Sequence, residues 1–350
     1  MALNWTSTSH RSPPSSGPWA LDPEPLQIAR TFAELNTLTG PSVVTIGNFD
    51  GVHCGHRMVV ASVLERARTL NAAAVAVTFD PHPAHLLHTE SRLPLITPLA
   101  QKLDLLASTG LDLTLVVPFT EELRQWSARH FAQTVLTDGL HAVEVHEGET
   151  FRFGHHAEAG VEGLAQLGAD LSFSVRTHQP CICRGAAISS SRIRKLIAAG
   201  SLPEARALLG RSFSVHSTPA SGRGYGTKYA VPTINLATYA DLLPAHGVYI
   251  TTLRIGDQRT FRGVTNIGNR PTFGADSFAV ETHLFDFEPL DLTESTPLEM
   301  TFLHRLRAEQ KFESPEALRT QIGRDVGRAQ RYFALADALR TSSLRQSYGV

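Results

Sequence analysis

The stretch Ile46-Gly-Asn-Phe-Asp-Gly-Val-His-Cys-Gly-His56 decides how the first half of the chain is read. Before it stands a short apolar run, Val43, Val44 and Ile46. After it comes a helix-like stretch from Arg57 to Leu70. A strand, a glycine turn and a helix in that order make a phosphate site. The turn lets backbone approach the anion, and the helix start presents unbonded N–H groups at a positive dipole end. His53 and His56, spaced i, i+3, fall on one face of the first helical turn and can address the same phosphate.

Apolar runs and amphipathic stretches alternate outward from this segment. Val43–Ile46, Ala74–Phe79, Leu113–Val117 and Ala142–Val145 read as buried parallel strands. Met58–Leu70, Leu99–Ala107 and Ala128–Leu136 read as helices between them. This alternation predicts a doubly wound, Rossmann-like α/β sheet, which binds ligands beyond the carboxyl ends of its strands. Arg192 to Leu209 reads as one or two short helices broken near Gly200 and Pro203.

After Gly210 the texture changes. Glycines and prolines multiply, and Gly247–Leu253, Thr260–Val264, Ala279–Phe285 and Leu298–Phe302 alternate as short strands. That pattern predicts a small antiparallel β-barrel. A C-terminal helix from Ser314 to Leu339 carries Leu318, Ile322, Val326 and Phe333 at helical spacing. The expected division is a disordered tail over 1–24, an α/β domain over 25–210 and a barrel domain over 211–350.

Bulk properties narrow the function. The chain has 350 residues, a formal net charge of -1 and 42% hydrophobic residues, which describes a protein with room for about two domains. A near-neutral balance gives no support for nucleic-acid or membrane-surface binding. No apolar run approaches ~18 residues, so no membrane span is expected. Cys54, Cys181 and Cys183 cannot make a disulfide framework, which fits a reducing, cytoplasmic compartment. Residues 1–24 are rich in Ser, Pro and Thr and lack the basic start and apolar core of a secretory signal.

A second cluster in the first half is Ile188-Ser-Ser-Ser-Arg-Ile-Arg194. Ser189, Ser190 and Ser191 offer a helix cap and hydroxyl donors. Arg192 and Arg194 offer guanidinium forks that match phosphate oxygens. His82, His85 and His88 share a three-residue spacing, but Pro81 and Pro83 break the helix that a metal site at that spacing would need.

Together these motifs resemble the nucleotidyltransferase superfamily with its His-X-Gly-His and Ile-Ser-Ser-Thr-X-Ile-Arg segments. Within it they are similar to the prokaryotic bifunctional riboflavin kinase/FMN adenylyltransferase (FAD synthetase) family. Gly47–His56, Phe79-Asp-Pro-His-Pro83, Phe151-Arg-Phe-Gly154 and Ile188–Arg194 carry the resemblance, with Ser191 where the family has Thr. It implies in-line attack of the FMN phosphate on the α-phosphorus of ATP, with release of pyrophosphate and magnesium as the neutralising ion. It further implies that Gly47, Asn48, Phe49, His53 and His56 serve the triphosphate and that Ser189–Ser191 and Arg194 serve the departing pyrophosphate. Thr150 replaces a family Asn and puts one hydroxyl where an amide is usual.

In the second half, Val231-Pro-Thr-Ile-Asn-Leu236 resembles the Pro-Thr-Ala-Asn motif of riboflavin kinases. The resemblance assigns Thr233 and Asn235 to Mg²⁺ and the ATP phosphates, and oxygen donors of that kind suit a hard cation. It also assigns ATP or flavin binding to Gly222, Arg223, Gly224 and Gly226 of the loop Ser221–Gly226, and to Arg307. Ala230 stands where many relatives have glycine. Strand alternation sets Glu281, His283 and Phe285 on one face and Val280, Thr282 and Leu284 on the other. Glu281 matches the family's general base for the ribityl 5′-hydroxyl. The expected function is therefore a cytoplasmic transferase for riboflavin, FMN, FAD and ATP that uses neither nucleic acid nor membrane. Retention of only one activity, or a flavin-binding regulatory role on the same scaffold, are the alternatives. Homo-oligomerisation is left open.

Overall fold

The computed structural model describes residues 26–87, 92–220, 233–256, 259–269, 278–287 and 292–348. The expected tail over 1–24, His88, Ala230 and the loop residues Gly222, Arg223, Gly224 and Gly226 lie outside the described residues.

Six strands form an all-parallel sheet: β1 (Gln27–Ala29), β2 (Ser42–Ile46), β3 (Ala73–Asp80), β4 (Leu113–Pro118), β5 (Ala142–Gly148) and β6 (Ser174–His178). Their order is β1-β4-β3-β2-β5-β6. The chain moves outward from β2 through β3 to β4, then crosses to β5 on the other side of β2. The crevice at this reversal opens where the Gly47–His53 loop leaves β2.

Helices cover both faces of the sheet. Val43, Ala74 and Ala76 pack with Val60, Val63 and Ala67 of α1 (Cys54–Leu70) and Leu106 of α2 (Leu99–Ala107). Val44, Ile46, Val75, Val77 and Val145 pack with Val135, Leu136 and Leu164 on the opposite face, the last from α3 (Val161–Leu171). Central strands buried on both sides are mostly apolar, with Ser42, Thr45, Thr78 and Thr114 the buried polar exceptions in β2, β3 and β4, which is why the sequence shows them as runs.

Edge strands lack that signal. β6 reads Ser-Val-Arg-Thr-His and β1 has three residues, and neither is visible as an apolar run. The expected helix Ala128–Leu136 is a short α-helical turn, Ala128–Phe131, followed by a π-helical segment, Ala132–Gly139. Gly200 does separate α4 (Ser190–Ala198) from α5 (Leu202–Leu209). Pro203 begins α5 instead of breaking it, because a first-turn proline gives up no intrahelical bond.

A second, antiparallel sheet follows: β7 (Phe213–Ser217), β8 (Thr233–Asn235), β9 (Gly247–Ile255), β10 (Arg259–Asn269), β11 (Phe278–Leu284) and β12 (Leu298–Ala308). Its order is β7-β12-β9-β10-β11-β8. The sheet curls until its two edges meet, with Pro219 bridging Leu236 and Ala237 N–H donating to Thr218 O at 2.8 Å. Barrel residues Val215, Leu253, Ile267, Met300 and Phe302 share one core with Ile96 and with Ile193, Ile197, Leu202, Leu208 and Leu209 of α4 and α5.

The closing helix α6 (Pro315–Tyr348) seats on Val248, Ile250 and Leu306 through Ala329 and Phe333. Its buried line runs through Asp325, Ala329 and Phe333, whereas Leu318 and Ile322 are 41% and 44% exposed. The expected apolar stripe is thus corrected. Among the described residues the helix is buried only from Asp325 to Phe333, so Leu318 and Ile322 in its first turns lie outside that contact.

Candidate active sites

The loop after β2 is built by backbone that few residues tolerate. Gly51 has φ +87°, and a side chain there would also press on Ile96. Phe49 and Val52 take positive φ of 48° and 37°. Phe49 folds back so that a Cβ on Gly47 would lie 3.2 Å from its ring, and the ring meets His56 edge-on at 5.2 Å. Upstream, the carboxyl of Glu147 accepts the Ile46 N–H at 2.6 Å. Burial pushes that carboxyl well above the usual range.

His53 caps α1, its Nδ1 accepting the His56 backbone N–H at 3.2 Å. The two rings stack 3.6 Å apart. Burial lowers His53 to about 4. Burial, His53 and Lys102 together lower His56 well below the ordinary histidine value. Both imidazoles are therefore neutral near pH 7. With Nδ1 of His53 acting as acceptor, its proton sits on Nε2, which is a donor. Nδ1 of His56 is buried with no partner among the described residues.

The serine–arginine segment converges on the same loop. Ser189 caps α4 by accepting the Arg192 N–H at 3.3 Å. Ser190 Oγ donates to Asp50 O at 2.8 Å, across 140 residues of sequence. Arg194 Nη2 donates to Asp50 Oδ2 at 2.7 Å, and its Nε to Pro94 O at 2.9 Å. Asp50, 2% exposed, also accepts the N–H groups of Ile96 and Thr97 at 2.9 and 3.0 Å. Ser191 is exposed in the first turn of α4. Arg192 is used locally, on the carbonyls of Cys183, Ala186 and Ala187.

A cleft lined by Asn48, Asp50, Phe79, Asp80, His82, Thr97 and Lys102 opens beside this loop. Lys102 is a residue that sequence reasoning missed. It occupies the buried face of α2 together with Leu103 and Leu106. A lysine within an apolar stripe was the signal available.

The second site lies on the barrel. Register pairs Asn235 with Glu281 and Thr233 with His283, and Glu281 with Asn266 on its other side. Directly paired residues project from the same face, so Asn266, Glu281 and Asn235 form one row across β10, β11 and β8. Ile234 and Thr282, the alternate residues, are buried. The hydroxyl and amide oxygens of Thr233 and Asn235, with the carboxylate beside them, are the hard donor set that Mg²⁺ prefers. Arg307 is not part of this row. Its Nε donates to Asp325 Oδ2 at 2.8 Å, tying β12 to α6.

Two family models match the chain: the one described as FAD synthetase over residues 36–192 and the one described as riboflavin kinase over residues 209–333. A bifunctional riboflavin kinase/FMN adenylyltransferase of Pseudomonas fluorescens is 34% identical over 306 residues, covering 87% of this chain and 97% of the relative. The protein of the same name from Escherichia coli (strain K12) is 33% identical over 294 residues, covering 84% and 93%. Among solved structures, the crystal structure titled macrolide-efflux protein from Streptococcus pneumoniae superposes with a TM-score of 0.76 at 25% identity, covering 87% of this chain and 98% of that one.

Proposed function

The chain belongs to the bifunctional riboflavin kinase/FMN adenylyltransferase family, and on that premise we propose how its residues divide the work. The barrel phosphorylates riboflavin with ATP, yielding FMN and ADP. The α/β unit joins FMN to the adenylyl group of ATP, yielding FAD and pyrophosphate. The activities divide near residue 210, with 25–210 serving adenylylation and 211–350 serving phosphorylation.

One observation carries the adenylyltransferase reading: the His53–His56 helix start and the Ser189–Ser191 helix start are drawn together on Asp50. Two helix N-termini on one cleft suit a polyphosphate. His53 and His56, neutral and stacked, donate hydrogen bonds to phosphate oxygens, strengthening as charge develops on the transferring group. Gly47, Asn48 and Phe49 bring backbone against the triphosphate. The hydroxyls of Ser189, Ser190 and Ser191 face pyrophosphate, and Arg194 holds the loop through Asp50 while serving the same charge. No covalent enzyme intermediate is required. The FMN phosphate oxygen bonds to the α-phosphorus as the bond to the leaving pyrophosphate breaks.

In the barrel, Glu281 takes the proton from the ribityl 5′-hydroxyl as that oxygen attacks the γ-phosphorus of ATP. Thr233 and Asn235 would hold Mg²⁺, which neutralises phosphate charge when bound. The loop residues Gly222, Arg223, Gly224 and Gly226 complete the nucleotide site, and Arg307 supports it by holding α6 at its edge. Among the described residues no helix is long and apolar enough to cross a membrane, and the cysteines Cys54, Cys181 and Cys183 are free thiols. We place the enzyme in the cytoplasm, a reducing compartment in which free thiols persist.

The test is direct. Purified protein is incubated with riboflavin, MgCl₂ and ATP, and flavins are separated over time. FMN should appear first and FAD after it. FMN that accumulates without FAD would leave the kinase reading alone standing.

A further inference from the structure

Lys102 is 5% exposed. Its ammonium donates to Thr78 Oγ1 at 3.0 Å, Asn48 O at 3.2 Å and Phe79 O at 3.3 Å. All three acceptors are neutral, so the hydrogens are satisfied without any carboxylate in contact. Among the described residues Lys102 forms no ion pair, and the buried acid of the cleft, Asp50, is already bonded to Arg194. A cation removed from water normally has a counter-charge in contact, because the desolvation cost is otherwise uncompensated.

The bond to Asn48 has a geometric consequence. In a trans peptide the carbonyl and the following N–H point in opposite directions. With Asn48 O turned onto Lys102, the N–H of Phe49 points away from the ammonium. That N–H donates to no described acceptor, although it sits in the loop that leads to His53 and His56. The ammonium also lies close enough to His56 to depress that imidazole.

We propose that Lys102 is a positioning residue for adenylyl transfer: it locks the Asn48–Phe49 peptide with its N–H toward the phosphates and places behind it a positive charge that forms no ion pair among the described residues. The inference rests on the adenylyltransferase reading above and deepens it. When the dianionic phosphate of FMN approaches the triphosphate of ATP, the two anions repel. A fixed cation in a low-dielectric floor offsets that repulsion more effectively than an exposed one. Lys102 exchanges no proton with substrate. The bond that forms is FMN oxygen to α-phosphorus, and the bond that breaks leaves its electron pair on pyrophosphate.

Burial brings Lys102 down to about 8, opposed by Asp50 and Asp80. The titratable and charged groups facing it are Asp50 from the loop, Asp80 and His82 from the end of β3 and the turn beyond, and His56 from α1. The charge should therefore be lost in the mildly alkaline range.

The experiment uses the full chain and compares wild type, Lys102→Met and Lys102→Arg. FAD formation from FMN and ATP is followed from pH 6 to 10, with riboflavin phosphorylation as the control for folding. Lys102→Met should lower kcat for FAD formation by roughly 10–100-fold, the lower part of the range for loss of one electrostatic contributor. FMN formation should stay within twofold. The wild type should lose adenylyltransferase activity with an alkaline limb near pH 8. Lys102→Arg, which keeps its charge, should move that limb upward by more than one pH unit. A merely structural lysine would lower stability without moving the limb. Should Lys102→Met not fold, the limb in Lys102→Arg decides. Near-wild-type FAD formation in Lys102→Met, or an unmoved limb in Lys102→Arg, overturns the proposal. A wild type that makes no FAD from FMN and ATP overturns the adenylyltransferase reading itself.

Discussion

Arg194 and Asp50 stand 144 positions apart in the chain, and the guanidinium Nη2 lies 2.7 Å from the carboxylate Oδ2, with the carboxylate almost fully buried. This contact joins the loop after β2 to α4. It also fixes Ile96 and Thr97, whose N–H groups share the same carboxylate. Three distant pieces of sequence are thereby held at one point of the cleft.

Asp50→Asn should be costly for that reason. It leaves Arg194 without its counter-charge, and removing one partner of a buried pair typically costs about 3–5 kcal/mol. Urea unfolding should show that loss. FAD formation should fall in parallel at temperatures where the variant is still folded. An unchanged unfolding midpoint would show the pair to be incidental.

His53→Ala and His56→Ala should each reduce FAD formation by roughly 10²–10³, the scale for loss of one transition-state donor. Riboflavin phosphorylation, carried by the barrel, should be nearly unaffected. Equal loss of both activities would instead assign the pair to folding.

His53 also predicts a pH dependence of stability. Its value in the folded protein, about 4, lies below the ordinary 6.5 because burial disfavours the charged form. Between those values the unfolded chain binds the proton and the folded one does not. The group's contribution to stability is therefore full above pH 6.5 and declines as pH falls, by up to about 1.4 kcal/mol per unit until the folded group titrates near 4. Denaturant titrations at pH 7.5, 6 and 5 on wild type and His53→Asn measure it. The variant should show a shallower decline, and identical slopes would refute the assignment.

Glu281→Gln keeps size and hydrogen bonding but removes basicity. A general base contributes typically ~10²–10⁴ in rate, and riboflavin phosphorylation should drop by that order. FAD formation from supplied FMN should continue. Near-wild-type phosphorylation by Glu281→Gln, measured below saturation, would mark Glu281 as an ordinary strand residue.

A fragment of residues 211–350 omits α4 and α5, which contribute Ile193, Ile197, Leu202, Leu208 and Leu209 to the barrel's core. Each such side chain is worth about 1.5–3 kcal/mol when fully buried. A fragment starting at residue 186 should therefore melt higher than one starting at 211 and be the more active in making FMN. Equal stability of the two would show that the barrel does not depend on these helices.

Local patterning made much of this protein legible. The phosphate loop could be read because strand, glycine turn and helix are short-range features, and the central strands because burial on both faces makes them mostly apolar. The Glu281 face followed from two-residue alternation. Other features depend on which segments meet. The edge strands β1 and β6 are specified by their neighbours and not by any apolar run of their own. The sequence marks Arg194 and Arg307 as candidate ligands, and only folding shows that Arg194 also meets Asp50 and Arg307 meets Asp325. Lys102 belongs to no motif read from the sequence, and only the packing of α2 turns it inward. Sequence by itself determined the two architectures and the chemistry that each can support, because backbone preference and hydrophobic period act over a few residues. Tertiary structure alone decided where the charges end up, because a buried charge must find a partner and that partner can lie anywhere in the chain.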